Sequence, residues 1–198
     1  MRDAGYKVVL TGEGSDEILG GYAHFRRDML LYNRAGQDPA VVAGLLDDLA
    51  RLNPVSRGLL LPHGEAGPLN GVKRLLGFVP SWIETFSARS VKMRALLGGG
   101  VLEKYGQREG FRSFFSDVDV RGQLAGRDPL NQSLYLWAKT GLPVYILTML
   151  GDCMEMAHSI EGRVPFLDHH VVRSASIAAR VPKDPRHDGE VCTSRGGS

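Results

Sequence analysis

The sequence predicts an α/β fold whose visible part is mostly helical, with one or two strands near its N-terminus. Three observations predict it. A short apolar run, Val8-Val9-Leu10, stops at Thr11 and gives way to the glycine-spaced loop Gly12-Glu13-Gly14-Ser15-Asp16-Glu17 and a helix-like stretch, the order of strand, tight loop and helix. Beyond Thr11, apolar residues recur at helical spacing in several windows. The 198 residues, 43% hydrophobic and 23% charged, have the composition of an ordinary globular domain with a sizeable core.

The elements follow in order. Ser15 suits a helix N-cap, with Asp16 and Glu17 as favourable first-turn charges. Gly20-Gly21 interrupts that helix, and Tyr22 and Phe25 pack after the break. Arg26-Arg27 reads as a solvated helix face. Asp38-Pro39 is a cap followed by proline at the first helical position, and Val41, Val42, Leu45, Leu46, Leu49 and Leu52 form the apolar face behind it. Pro54 to Gly71 reads as a loop, and Gly98-Gly99-Gly100 as a second break. Leu130, Leu134 and Trp137 predict a helix ending before Gly141. Pro143 then opens another, striped by Leu142, Tyr145, Ile146, Met149, Leu150, Cys153 and Met154. Pro165 keeps Val164 out of helix, so residues 161–168 read as a connector anchored by Phe166 and Leu167. Asp168 caps a last helix with the face Val171, Val172, Ala175, Ala178 and Ala179. From Pro182 the chain reads as disordered, which divides it into residues 1–183 and a tail, 184–198. One strand makes no sheet, so Val8–Thr11 is expected to lack neighbours and to leave two strand edges open.

The loop carries the chemistry. In open α/β sheets ligands bind at strand ends, and a helix N-terminus favours anions. Three carboxylates there, Glu13, Asp16 and Glu17, would repel a bare phosphate. A hard cation such as Mg²⁺ resolves the conflict by bridging carboxylate and phosphate oxygens, so the loop reads as one wall of a magnesium-nucleotide site. The Gly-Lys-Ser/Thr ending of a P-loop is missing. The same residues also suit a plain strand-to-helix turn.

Two stretches carry a resemblance. Val9-Leu10-Thr11-Gly12-Glu13-Gly14-Ser15-Asp16-Glu17 resembles the Leu-Ser-Gly-Glu-Gly-Ser/Ala-Asp-Glu motif of glutamine-hydrolysing asparagine synthetases. Met156 to Asp168 resembles that family's Met-Ala-x-Ser-x-Glu-x-Arg-x-Pro-Phe-Leu-Asp signature. The resemblance covers roughly residues 5 to 183 and implies the interior or C-terminal part of a synthetase domain of the PP-loop ATP pyrophosphatase type. It implies ATP and Mg²⁺ as cofactors, and aspartate and glutamine-derived ammonia as substrates. A β-aspartyl-adenylate and pyrophosphate form first, and ammonia then displaces AMP. Carried over by position, Thr11 and Gly12 line the nucleotide, Glu13 takes part in proton transfer, and Asp16 is magnesium-linked. Glu161, Arg163 and Asp152 stand as supporting residues, Glu161 and Arg163 orienting one another.

The chain departs from that family in places. The Ser-Gly-Gly-x-Asp-Ser pyrophosphate loop is nowhere in it, and it opens Met1-Arg2-Asp3-Ala4 where the glutaminase domain would open Met-Cys. The missing N-terminal part of the enzyme is therefore an expected partner. Asp152-Cys153 replaces Asp-Arg, and cysteine cannot make bidentate bonds to an anion. These departures also suit a non-catalytic remnant or partner-dependent module. Relatives of the same domain that close β-lactam rings or join peptide ends are a further alternative.

Other chemistries find little support. A net charge of +2 on scattered residues argues against nucleic acid. No apolar run reaches membrane-span length, and no signal peptide is visible. Cys153 and Cys192 form neither a disulfide framework nor a zinc cluster, and a reducing, cytoplasmic setting is expected. His169 and His170 are adjacent on a helix and should point apart, a poor ligand pair. His158, Met154 and Met156 read as packing residues. No Gly-x-Ser-x-Gly elbow occurs.

Overall fold

The computed structural model describes residues 4–33, 36–106 and 110–178. The expected tail, with Ala179 and Cys192, lies outside them. Strand β1 (Val8–Leu10) leads through the glycine loop into helix α1 (Ser15–Leu19). Gly14 is the N-cap, in the left-handed region at φ 89°, where glycine is favoured. Ser15 is therefore the first helical residue and not the cap, and its hydroxyl donates to the Gly12 carbonyl at 2.7 Å.

Helix α2 (Ala23–Tyr32) follows the Gly20-Gly21 break, and α3 is Pro39–Leu52. The Asp38 cap is as predicted, since its carboxylate accepts from the Ala40 N–H at 2.8 Å. The stretch read as a loop holds a 3₁₀ turn at Pro54–Ser56 and runs into α4 (Asn70–Leu76). Helix α5 (Ser81–Arg94) comes next. The three glycines read as a break instead start α6 (Gly99–Tyr105), with Gly98 as its cap. Helix α7 (Gly110–Ser116) precedes α8 (Pro129–Gly141), which carries Leu130, Leu134 and Trp137 as predicted.

Pro143 starts no separate helix. The chain continues from α8 into a π-helical segment, Leu142–Asp152, and on into the short α9 (Cys153–Ala157). Proline has no N–H for an i→i−4 bond, and the surrounding bonds widen to i→i−5. Leu142 N–H donates to the Trp137 carbonyl, and the Thr148 hydroxyl reaches the Pro143 carbonyl at 2.7 Å.

The segment read as a connector contains strand β2 (Glu161–Arg163), which pairs in parallel with β1 in the register Val8↔Glu161, Val9↔Gly162, Leu10↔Arg163. The N-terminal strand thus has a neighbour after all. A 3₁₀ turn at Pro165–Leu167 leads to α10 (His169–Ala178), whose His170 N–H is capped by Asp168 at 2.8 Å. The His169 and His170 rings do not point apart. Their centroids are 3.9 Å from each other.

The core joins α2, α4, α5 and α8 through Phe25, Val72, Trp82, Ile83, Leu136 and Trp137, with Leu124 beside them. A buried polar knot pins three of these helices. The Asp28 carboxylate accepts from the Ser81 N–H (2.8 Å), the Ser81 hydroxyl (2.5 Å) and the Ser133 hydroxyl (2.6 Å). All three residues are fully buried, and hydrogen bonds to a charged acceptor are what such burial requires. Arg27 is not part of a solvated face, because it pairs with Glu84 at 2.8 Å and also donates to Ser81. Met154, Met156 and His158 are exposed and not core-filling. Among the described residues no helix is long and apolar enough to cross a membrane.

Candidate functional site

Parallel pairing of β1 with β2 brings the two sequence motifs together. The ladder extends past both strands, with Thr11 N–H donating to the Arg163 carbonyl at 2.9 Å and Glu161 N–H to the Lys7 carbonyl at 2.8 Å. One step on, Gly14 sits against Leu167, and a Cβ there would meet the leucine side chain at 2.3 Å. Gly14 is therefore required twice, for its backbone conformation and for this contact. The acidic loop and the second motif form one surface at the end of the strand pair.

Glu13 leaves that surface toward the end of the π segment. A Cβ on Gly151 would lie 3.3 Å from the Glu13 carboxylate, so the glycine lets the widened helix approach closely. Burial holds the Glu13 carboxyl above the ordinary carboxylate range, and the charges of Glu155, Asp152 and Glu17 push the same way. Asp16 is likewise raised, by burial and by Glu17, with Arg26 opposing.

Glu17 is the inner post of the loop. It is buried and accepts from the Trp137 indole N–H at 3.3 Å, while the Tyr22 hydroxyl is hydrogen-bonded to it. Burial of Tyr22, reinforced by Glu17, Asp16 and Glu13, raises its phenol far above its ordinary value, so it stays a neutral donor. Indole and phenol together support a carboxylate that would otherwise be costly to bury.

Thr11 and Gly12 stand at the open end of β1. The Thr11 hydroxyl oxygen is buried and has no partner among the described residues, although Thr11 as a whole is half-exposed. Nothing lies within 4 Å of a Cβ built on Gly12. An unpaired hydroxyl beside clear space suits the close approach of a ligand. An open cleft of about 430 Å³ adjoins it, lined by Leu10, Arg163, Val164, Pro165, Leu167 and Asp168. A larger cavity of about 960 Å³, bounded by Arg74, Ser87, Arg94 and Phe111 among others, contains none of these carboxylates. The acidic loop lies at the strand end, away from that larger cavity.

The structure therefore sets Thr11, Gly12 and Glu13 together at the strand end, with Gly151 against Glu13 and Asp152 next in the chain, while the Asp16 carboxylate turns toward Gly21. Glu161 and Arg163 pair with each other at 2.9 Å on the exposed side of β2. The charges acting on Glu13 come from elsewhere. Among the described residues no three His, Cys, Asp or Glu side chains converge to hold a metal ion by themselves. Mg²⁺ is commonly held by one or two carboxylates plus substrate phosphates, and Glu13 and Asp16 offer hard oxygen donors of that kind. Sequence reasoning missed Glu155, Gly151 and the Trp137 support of Glu17. Trp137 was visible only as a core residue, and no local signal tied it to a glutamate 120 positions away.

A family model described as Asparagine synthase matches residues 1–185. Among curated relatives, Amidase chyE of Penicillium rubens is 34% identical over 174 residues, covering 84% of this chain and 25% of that protein. Amidase chry2 of Gibberella zeae is 29% identical over 186 residues, with shares of 84% and 25%. Asparagine synthetase (glutamine-hydrolyzing) 1 of Bacillus subtilis is 29% identical over 180 residues, with shares of 89% and 25%. The chain spans about a quarter of the length of these relatives. No solved structure matches it.

Proposed function

The chain belongs to the asparagine synthase family, and from that premise we propose that it forms part of an ATP-dependent carbon–nitrogen ligase that converts aspartate to asparagine. The observation that carries this reading is the meeting of the two motifs across the β1–β2 ladder, which sets Glu13 at the strand end beside Thr11 and Gly12. A side-chain carboxylate oxygen of aspartate attacks the α-phosphorus of ATP, and pyrophosphate leaves. Ammonia, supplied from glutamine, then attacks the activated carbonyl carbon. It loses a proton, and AMP departs.

Each residue has a role in that sequence. The Thr11 hydroxyl and the open Gly12 backbone receive the nucleotide. Glu13, with its raised proton affinity, accepts the proton that ammonia sheds. Asp16, with Glu13, would hold Mg²⁺. When bound, the ion would neutralise charge on the departing pyrophosphate. Asp152 keeps the field around Glu13 negative, and the Glu161–Arg163 pair stiffens β2 below the cleft. In this reading the remainder of the enzyme supplies the pyrophosphate loop and completes a PP-loop-type parallel sheet along the free edge of β1. Cys153, an exposed free thiol, fits a reducing, cytoplasmic setting. The two fungal relatives named amidases favour a second reading, the same activation chemistry with a different amide product.

The test is asparagine formation by the longest natural polypeptide containing this chain, given aspartate, MgATP and ammonium. Glu13→Gln should abolish asparagine while leaving the circular dichroism spectrum unchanged. Undiminished asparagine output from that variant overturns the assignment.

A further inference from the structure

The cavity of about 960 Å³ is walled by α4, α5 and α7. Helix α5 lines it with Ser87, Val91 and Arg94, which are four and three positions apart and so share one helix face. Helix α7 adds Phe111 and Phe115 at the same spacing, and α4 adds Arg74. The charges are of one sign, because among the described residues no Asp or Glu lines the cavity. Arg74 has no hydrogen bond or ion pair among the described residues. Arg94 gives one N–H to the Gly106 carbonyl. Ser81 and Thr85 of α5 are buried with their hydroxyls hydrogen-bonded. Ser87 is only 6% exposed, yet its hydroxyl has no partner among the described residues. Gly67 leaves space beside that hydroxyl, since a Cβ there would lie 3.3 Å from the Ser87 oxygen.

We propose that this cavity is a second ligand site, separate from the acidic loop, that takes a small organic anion: its carboxylate or phosphate head meets Arg74, Arg94 and Ser87, and its apolar body lies against Phe111 and Phe115. Guanidinium groups suit both kinds of head, because their planar N–H fork matches paired anionic oxygens. With no carboxylate on the walls to neutralise them, the two arginines keep the hollow positive. Phe111 and Phe115 pack against the core, so the apolar wall is anchored. Small-molecule sites commonly enclose about 300 to 1,000 Å³ and set a few polar groups in an apolar lining, as this cavity does. An entering anionic oxygen gives the buried Ser87 hydroxyl an acceptor and Arg74 a counter-charge. The carboxylates of the acidic loop would repel the same molecule, so the two places select different ligands.

The test is an amide NMR titration of the full chain with phenyl phosphate, phenylacetate, neutral phenylacetamide and inorganic phosphate. At least one of the two organic anions should shift the amides of Arg74, Ser87 and Phe111 and leave those of residues 11–17 in place. It should bind about tenfold more tightly than phenylacetamide, which lacks the charge, and than inorganic phosphate, which lacks the body. The tighter of the two organic anions identifies the head. Arg74→Gln removes a charge that holds nothing else in place and should weaken binding about tenfold. Ser87→Ala should weaken it less, with an unchanged circular dichroism spectrum. If Ser87→Ala does not fold, Arg74→Gln decides by itself. The proposal is overturned if no probe shifts these amides, if the shifts fall on residues 11–17 instead, if phenylacetamide binds as tightly as the anions, or if Arg74→Gln binds like the wild type. Inorganic phosphate binding as tightly as phenyl phosphate would overturn the apolar half of the site. The titration needs neither ATP nor aspartate, so its outcome and that of the asparagine assay are independent.

Discussion

His24 is fully buried between aromatic rings, with centroids 4.2 Å from Phe25, 4.9 Å from Trp137 and 5.2 Å from Tyr22. Neither ring nitrogen has a hydrogen-bond partner among the described residues. Burial lowers its pKa from 6.5 to about 3, so it folds as a neutral aromatic filler. The unfolded chain protonates it first as the pH falls. Its contribution to stability is whole above pH 6.5 and is lost as the pH drops toward 3. Glu13, Asp16 and Asp28 work in the opposite sense, because their folded pKa values are raised and stability declines as the pH rises through them. Comparing wild type with His24→Phe isolates the imidazole. Relative to the variant, wild type should lose on the order of 3 kcal/mol between pH 7 and pH 4, read by urea unfolding at each pH. An equal acid sensitivity of the two proteins would refute the assignment. None of this was legible from a lone histidine in the sequence. The carboxylate loop was, because Glu13, Asp16 and Glu17 crowd into five positions between glycines.

Helices with a conventional apolar stripe could be read in advance, as α3 and α8 were from Leu and Val at three- and four-residue spacing. Helix α5 was not, although it is central to the core. Its buried face mixes Trp82, Ile83 and Ala88 with Ser81, Thr85 and Ser87, so hydrophobic periodicity is weak. Two of those three buried hydroxyls have partners in the fold. Ser81 meets Asp28, and Thr85 donates to the Ser81 carbonyl at 2.8 Å. The π segment was misread for a related reason, since Pro143 signals a start only when no preceding helix runs through it. Gly141 at that junction lies beneath Trp137, and a Cβ would approach the indole ring at 2.7 Å. Gly141→Ala should therefore tilt Trp137 away from Glu17 and cost about 2 kcal/mol. Red-shifted tryptophan emission together with a lower denaturation midpoint would confirm it. An unchanged spectrum would show that the ring is held from elsewhere.

Among the described residues, the helices share one buried core and the sheet has two short strands. Parallel sheets are ordinarily covered on both faces and continued at their edges, whereas this one has two short strands among the described residues. Val9 and Thr11 face β2, so Val8 and Leu10 offer their backbone groups to the opposite edge, and both side chains are exposed. That openness was expected from the sequence; the partner strand was not, because Glu-Gly-Arg has none of the β-branched character that marks a strand. An uncovered edge of this kind recruits other chains. The isolated chain should associate as its concentration rises, and Leu10→Pro, which removes an N–H on the free side only, should reduce that association. Light scattering reads the effect, and equal masses for both proteins would count against edge pairing. The β1–β2 ladder has one more consequence, in time. Its two strands lie roughly 150 residues apart along the chain, and closing a loop of that length costs about 4 kcal/mol of chain entropy before its first contact forms. Local helices can assemble early, but the strand end that carries Glu13 has to wait for that closure. The site is therefore the late-forming part of the molecule, and a ribosome must release nearly the whole segment before the two motifs can meet.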